Sequence, residues 1–162
     1  MITEMNELNN ETVELLIKHN MKISTAESCT GGLLSALITA VPGASAIMDE
    51  GFVTYSNTAK MKYLGVNEDT LKDYGAVSSE TAYEMADGLF KRTGADITVG
   101  ITGIAGPDGG TQEKPVGLVY AGICVNGITK VIKMNHSGSR DEVREKTCKK
   151  VFETIKNEVS VL

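Results

Sequence analysis

Two residues in the first half of the chain have the types that acyl transfer needs. Ser28 stands in Ala26-Glu27-Ser28-Cys29-Thr30-Gly31-Gly32, and Lys60 closes Tyr55-Ser56-Asn57-Thr58-Ala59-Lys60. A serine hydroxyl attacks a carbonyl once a base takes its proton, and serine-lysine pairs meet that requirement. The small residues after Ser28 permit a tight turn and close approach of backbone to ligand. Free N–H groups there suit a developing oxyanion, and a helix start favours negative charge on the Ser28 oxygen. The same spacing also fits a plain helix N-cap at Ser28 or Thr30. With Asn57 as N-cap, Lys60 takes the third helical position, where the dipole disfavours a cation. That field and burial would lower its pKa toward that of a neutral-pH base. A lysine whose head reaches water is the alternative.

Other groups are candidates around this pair. Tyr55 could hydrogen-bond the Lys60 amine or substrate, or simply pack at its strand end. Glu27 could orient the lysine or bind a ribose hydroxyl, or serve as a helix-start acid. Cys29 is the rival nucleophile, because a helix N-terminus acidifies a thiol. The stretch Thr102-Gly103-Ile104-Ala105-Gly106-Pro107-Asp108-Gly109-Gly110 lets backbone N–H groups converge on a phosphate or an amide. It lacks the Gly-Lys-Ser/Thr of a Walker A loop, and a flexible turn is the alternative. Arg140, after Ser137-Gly138-Ser139, could bring a guanidinium to a phosphate or pair with Asp141 or Glu142. His19 and His136 are the only histidines and lack ligand spacing, so no metal is expected.

These groups need elements to position them. The apolar spacing predicts a helix over 6–19, a strand over 21–26 and a helix from Leu33 that ends at Pro42-Gly43. A strand over 50–55 then runs into a helix capped at Ser56 or Asn57. A short helix follows over 67–74, and another starts at Ser78 or Ser79 and runs to about Arg92. A strand over 96–102, the Gly-rich loop, and strands over 116–125 and 128–135 come next. Asn126-Gly127 between the last two is a strong hairpin signal. Ser139-x-x-Glu142 is a capping box, and Val143, Thr147, Val151 and Ile155 at steps of four predict a long terminal helix. The expected class is α/β: a layered sandwich with a mixed sheet flanked by helices on both faces.

Composition narrows the function. The 162 residues, 41% of them apolar, fit a single domain over 1–162. A formal charge of -5, no tryptophan and 5% aromatics argue against nucleic acid as a partner. An anionic ligand would therefore need local positive charge at its own site. The opening residues resemble neither a signal peptide nor a membrane span, so no membrane partner and a cytoplasmic location are expected. Cys29, Cys124 and Cys148 show no framework spacing and suit a reducing compartment, the last two as buried small hydrophobes.

The stretches ISTAESCTGGLLSALIT, GFVTYSNTAKMKYLGV, YGAVSSETAYEMADG and ITGIAGPDGGTQEKPVGLVY together resemble the CinA C-terminal domain family, from about Leu8 to Phe152. The resemblance implies hydrolysis of nicotinamide mononucleotide to nicotinate mononucleotide and ammonia in pyridine nucleotide salvage. It implies Ser28 and Lys60 as the catalytic pair with Tyr55 adjoining, no cofactor, and a homodimer or higher assembly. The residues expected to contact substrate are Glu27, Thr30, Gly31, Gly32, Asn57, Thr102, Gly103, Gly106, Gly109, Gly110 and Arg140. Larger members of this family carry a preceding domain that resembles molybdopterin-binding proteins, whereas the form expected here is the stand-alone one. Two other readings stay open: a non-catalytic nucleotide-binding or regulatory module, and an amidase for another substrate.

Overall fold

The computed structural model describes residues 2–162. In chain order it forms α1 (Ile2–Lys18), β1 (Ile23–Glu27), α2 (Leu33–Thr39), β2 (Met48–Val53), α3 (Asn57–Leu64), α4 (Glu68–Tyr74) and α5 (Ser79–Thr93), followed by β3 (Ile97–Gly103), β4 (Leu118–Val125), β5 (Ile128–Asn135) and α6 (Arg140–Ser160). Every element expected from the sequence is present, with ends displaced by a few residues. The first helix begins at Ile2, ahead of the first periodic leucine. The helix after Gly32 ends at Thr39, and a 3₁₀ turn over Ala44–Ala46 follows Pro42-Gly43.

The strands form one sheet in the order β2-β1-β3-β4-β5. β1 pairs in parallel with β2 and β3, whereas β4 pairs antiparallel with both β3 and β5. This is the expected mixed sheet, and its register decides where loops meet. Glu27 pairs with Val53 and with Ile101, so β1, β2 and β3 release their following loops at one edge. Gly103 pairs with Val119, and Leu118 with Asn135, which brings the entry to β4 and the exit from β5 to the same edge. Residues remote in sequence thus converge at the carboxyl ends of the parallel strands, where ligands gather in α/β sheets.

Helices cover both faces, as expected. Val13, Leu16, Leu34, Ile38, Val151, Phe152 and Ile155 from α1, α2 and α6 pack on one side against Ile97, Val99 and Ile101. Leu64, Leu71, Met85 and Leu89 from α3, α4 and α5 form the smaller core on the other. Period-two alternation separates the faces of β3: its even residues meet α5. Thr98 Oγ1 donates to Ala86 O at 2.7 Å, and a Cβ on Gly100 would lie 2.6 Å from that of Met85. The neighbouring Gly122 faces the same helix, and a Cβ there would stand 2.2 Å from Ala82 O. These glycines let α5 lie close against the sheet.

The two predicted boundary devices are present. Ser78 caps α5 by accepting from Thr81 N, and Ser139 and Glu142 make the reciprocal capping box of α6. Among the described residues no helix is long and apolar enough to cross a membrane. The three cysteines are buried and unpaired.

Candidate active site

Ser28 directly follows β1, and its N–H continues the sheet by donating to Ile101 O at 3.0 Å. The chain then turns through Gly31 and Gly32, whose φ angles of 58° and 100° are left-handed and suit glycine. Gly32 has no side chain to cap α2, and Glu27 takes that role. Its Oε2 accepts from Gly32 N and Leu34 N, and its Oε1 from Ser35 N and Ser35 Oγ, at 2.8 to 3.2 Å. Alternation along β1 turns Glu27 toward α2 and away from the ligand side. The expectation that Glu27 reaches lysine or ribose is therefore replaced by the helix-start reading: the side chain is fully buried and its oxygens are occupied.

Lys60 arrives from the next strand. Ser56, rather than Asn57, caps α3, accepting from Ala59 N at 3.0 Å. Lys60 is thus the fourth helical residue, and Asn57 sits exposed at the first. Helical side chains lean back toward the N-terminus, which carries the Lys60 amine under the preceding turn. There Nζ lies 2.9 Å from Thr54 O, 3.2 Å from Tyr55 O and 3.1 Å from Ser28 Oγ. The residue is 1% exposed. Desolvation by burial is the leading cause of its pKa, lowered from 10.5 to about 8.

This coordination suits a base. A neutral amine has two hydrogens and one lone pair; the two carbonyls can take the hydrogens, leaving the lone pair for the Ser28 hydroxyl. Among the described residues the Ser28 hydroxyl has one other hydrogen-bond partner, a long 3.5 Å approach to Tyr55 O. Ser28 is 8% exposed and opens onto a cleft of about 280 Å³. That volume is close to the lower end of the roughly 300–1,000 Å³ typical of small-molecule sites.

The cleft collects many of the residues singled out in the sequence and leaves others behind. Ser28, Tyr55, Lys60, Thr102, Gly103, Gly106, Gly109 and Arg140 line it. Glu27, Thr30, Gly31, Gly32, Asn57 and Gly110 do not. Thr30 is fully buried behind the nucleophile turn, with its hydroxyl unpartnered and its carbonyl turned toward α6. Gly110 packs on the approach to β4, where a Cβ would stand 2.7 Å from Val116 N. Thr102 Oγ1 donates to Ala76 O at 2.7 Å, tying the Ala76-Val77 wall to β3. That wall carries no polar side chain and gives no chemical signal in the sequence.

Tyr55 does not meet the lysine through its ring. Its carbonyl accepts from Lys60, while its hydroxyl accepts from Arg140 Nη2 at 3.2 Å. Arg140 Nη1 also donates to Gly106 O at 2.7 Å, so one guanidinium bridges two loops across the cleft. The alternative, a pairing with Asp141 or Glu142, is absent among the described ion pairs; Asp141 instead pairs with Arg144 at 3.4 Å. Arg144 is one turn beyond Arg140, and its Nη2 donates to Thr30 O at 2.9 Å. Sequence reasoning missed Arg144, although a second arginine four residues on marks the same helix face.

Cys29 lines the cleft beside Ser28 but is buried, and desolvation pushes its thiol up to about 12. The expectation that a helix start would acidify this thiol is reversed: burial outweighs any dipole effect. Among the described residues, no three His, Cys, Asp or Glu side chains gather in a metal-holding group.

The sequence and the fold both match known proteins. Residues 5–159 match the CinA C-terminal domain. A Clostridium novyi protein bearing the competence-damage inducible name is 53% identical over 146 residues, 90% of this chain and 35% of the relative. A CinA-like protein of Kosmotoga olearia is 56% identical over 134 residues, 83% of this chain and 32% of that one. The chain therefore spans about a third of the length of the curated relatives it matches. The crystal structure of competence/damage inducible protein CihA from Agrobacterium tumefaciens superposes with a TM-score of 0.91 at 42% identity, covering 94% of each chain. A CinA superfamily protein from Klebsiella pneumoniae gives 0.93 at 32% identity, covering 98% of this chain and 99% of that one.

Proposed function

The chain belongs to the CinA C-terminal domain family, and we propose that it hydrolyses the carboxamide of nicotinamide mononucleotide, releasing nicotinate mononucleotide and ammonia. The observation that carries this reading is the 3.1 Å contact between the desolvated Lys60 amine and the Ser28 hydroxyl, at the floor of a cleft. The choice of substrate rests on the family resemblance, and an arginine at the rim supports a phosphorylated ligand.

Neutral Lys60 takes the Ser28 proton as Oγ attacks the carboxamide carbon, forming the C–O bond of a tetrahedral oxyanion. Around the nucleophile, the Ser28, Gly31, Gly32 and Leu33 N–H groups already donate to Ile101 O, Ser28 O, Glu27 and Thr30 O. The Gly31 N–H is therefore not free to meet an oxyanion. The Cys29 and Thr30 N–H groups remain without a backbone acceptor among the described residues; of these two residues only Cys29 lines the cleft, and the position after the nucleophile is the usual place for an oxyanion donor. The oxyanion collapses, the C–N bond breaks, and Lys60 returns its proton to departing ammonia. Water then attacks the Ser28 ester, with Lys60 accepting its proton and restoring the serine.

The test is direct. Purified wild type, Ser28→Ala, Lys60→Ala and Cys29→Ala are incubated with nicotinamide mononucleotide, and ammonia and nicotinate mononucleotide are measured. Equal amounts of both products from wild type and Cys29→Ala, with loss in the other two, are expected. Folded wild type that forms no product would contradict the reading and favour a nucleotide-binding module or another amide.

A further inference from the structure

We infer that Arg144, which lines no part of the cleft, strengthens the oxyanion donor through a chain of two peptide groups; the catalytic part of this inference rests on the function proposed above. Arg144 projects from α6 and places Nη2 2.9 Å from Thr30 O. The Thr30 carbonyl and the Gly31 N–H belong to one peptide group, and that N–H donates to Ser28 O at 3.0 Å. The Ser28 carbonyl and the Cys29 N–H belong to the next peptide group. Among the described residues no backbone carbonyl accepts from the Cys29 N–H, and Cys29 lines the cleft. The sequence of contacts therefore runs from guanidinium to peptide to peptide, ending at the atom that would meet the oxyanion.

A hydrogen bond accepted by a carbonyl shifts electron density toward its oxygen and leaves the N–H of the same peptide a better donor. Each link polarises the next, by roughly 10–30% per bond, and a cation at the head supplies a larger field than a neutral donor. Thr30 O also accepts from Leu33 N at 3.1 Å, the ordinary contact of a helix start, so Arg144 is an addition to what the local fold provides. The arginine side chain is only 28% exposed, which limits screening by water. The contact also ties the nucleophile turn to α6, the helix whose first residue, Arg140, holds the Gly-rich loop. Arg144 is accordingly a positioning residue: it touches no substrate and acts through the Ser28 turn.

The experiment compares wild type with Arg144→Met, which keeps the length and loses the charge, and Arg144→Lys, which keeps the charge without the fork. Two readouts are taken: steady-state kinetics against pH, and the ¹H–¹⁵N resonance of the Cys29 amide. Removal of a whole oxyanion donor costs about 10²- to 10³-fold in rate, so weakening one is expected to lower kcat about tenfold in Arg144→Met, with KM and the acid limb of the profile unchanged. Arg144→Lys should lie between. The Cys29 amide proton should move upfield in Arg144→Met while resonances of the sheet stay in place. An unmoved Cys29 amide, a kcat equal to wild type, or a loss confined to KM would overturn the inference. The resonance needs no turnover, so an inactive wild type with a shifted Cys29 amide would sink the proposed reaction and leave the peptide chain intact.

Discussion

Lys60 Nζ lies 3.1 Å from Ser28 Oγ, and its other hydrogen-bond partners among the described residues are two backbone carbonyls, those of Thr54 and Tyr55. Among the described residues no carboxylate bonds to this amine, which separates it from a structural ion pair. Carbonyl dipoles can hold either protonation state, so the lysine is able to exchange a proton with the serine rather than remain locked as a cation.

The first prediction is a pH profile. Burial lowers the Lys60 pKa to about 8, and the base must be neutral, so kcat/KM should rise as pH increases through about 8 and level off above it. Initial rates from pH 6 to 10 check this. A rate flat across that range would contradict Lys60 as the base.

Stability should carry the same signature with a definite sign. Between about 8 and the ordinary 10.5, the unfolded chain keeps a proton on Lys60 that the folded chain has lost, so wild-type stability rises with pH across that window. Below it the folded chain bears the full cost of a buried cation, on the order of 3 kcal/mol. Lys60→Met removes that cost but leaves the Thr54 and Tyr55 carbonyls unpaired, at about 1 kcal/mol or more each. The variant should melt above wild type near pH 6.5, with the margin shrinking or reversing by pH 10. A difference in Tm that does not vary with pH would contradict the assignment.

Cys29 should be dispensable. Its thiol is buried and pushed up to about 12, so it is neither accessible nor ionised near neutrality. Cys29→Ala is expected to keep kcat within a few-fold of wild type, and iodoacetamide at pH 7.5 to leave activity intact. Rapid inactivation by the reagent, protected by substrate, would reverse the order of the two nucleophiles.

How far this site could be read from the sequence depends on which interactions are local. Ser28, Lys60 and Arg140 stand beside turn and cap signals, and the register of three parallel strands brings them together, so residue type and element order were sufficient. Ser56 and Asn57 are both competent caps, and only the backbone bond to Ala59 distinguishes them. The role of Glu27 depends on the face to which β1 turns it, and a glycine cap on α2 left a vacancy that its carboxylate fills. Arg144 meets Thr30 across 114 positions of sequence, a contact that no local pattern encodes. Cys29 shows a wrong sign of reasoning: proximity to a helix start suggested acidification, but burial dominates in the folded chain.

Arg140 should govern binding more than turnover. Its guanidinium holds Gly106 O and the Tyr55 hydroxyl at the cleft rim, where it can exchange either contact for a phosphate. Hydrogen bonds to charged groups are worth about 1.5–3 kcal/mol. Arg140→Ala is therefore expected to raise KM for nicotinamide mononucleotide about 10- to 100-fold, with a much smaller effect on the riboside that lacks the phosphate. Equal losses for the two substrates, measured by initial rates, would remove the phosphate role. Tyr55→Phe should be milder, since the carbonyl that holds Lys60 is unaltered.

The central claim is a covalent intermediate on Ser28. Rapid acid quench of wild type mixed with excess nicotinamide mononucleotide, followed by digestion and fragmentation mass spectrometry, measures it most directly. The account predicts the nicotinoyl mononucleotide ester on Ser28, absent from Lys60→Met and lost on adding hydroxylamine. Product accumulating without any adduct on the timescale of a single turnover, or an adduct carried by Cys29, would contradict it.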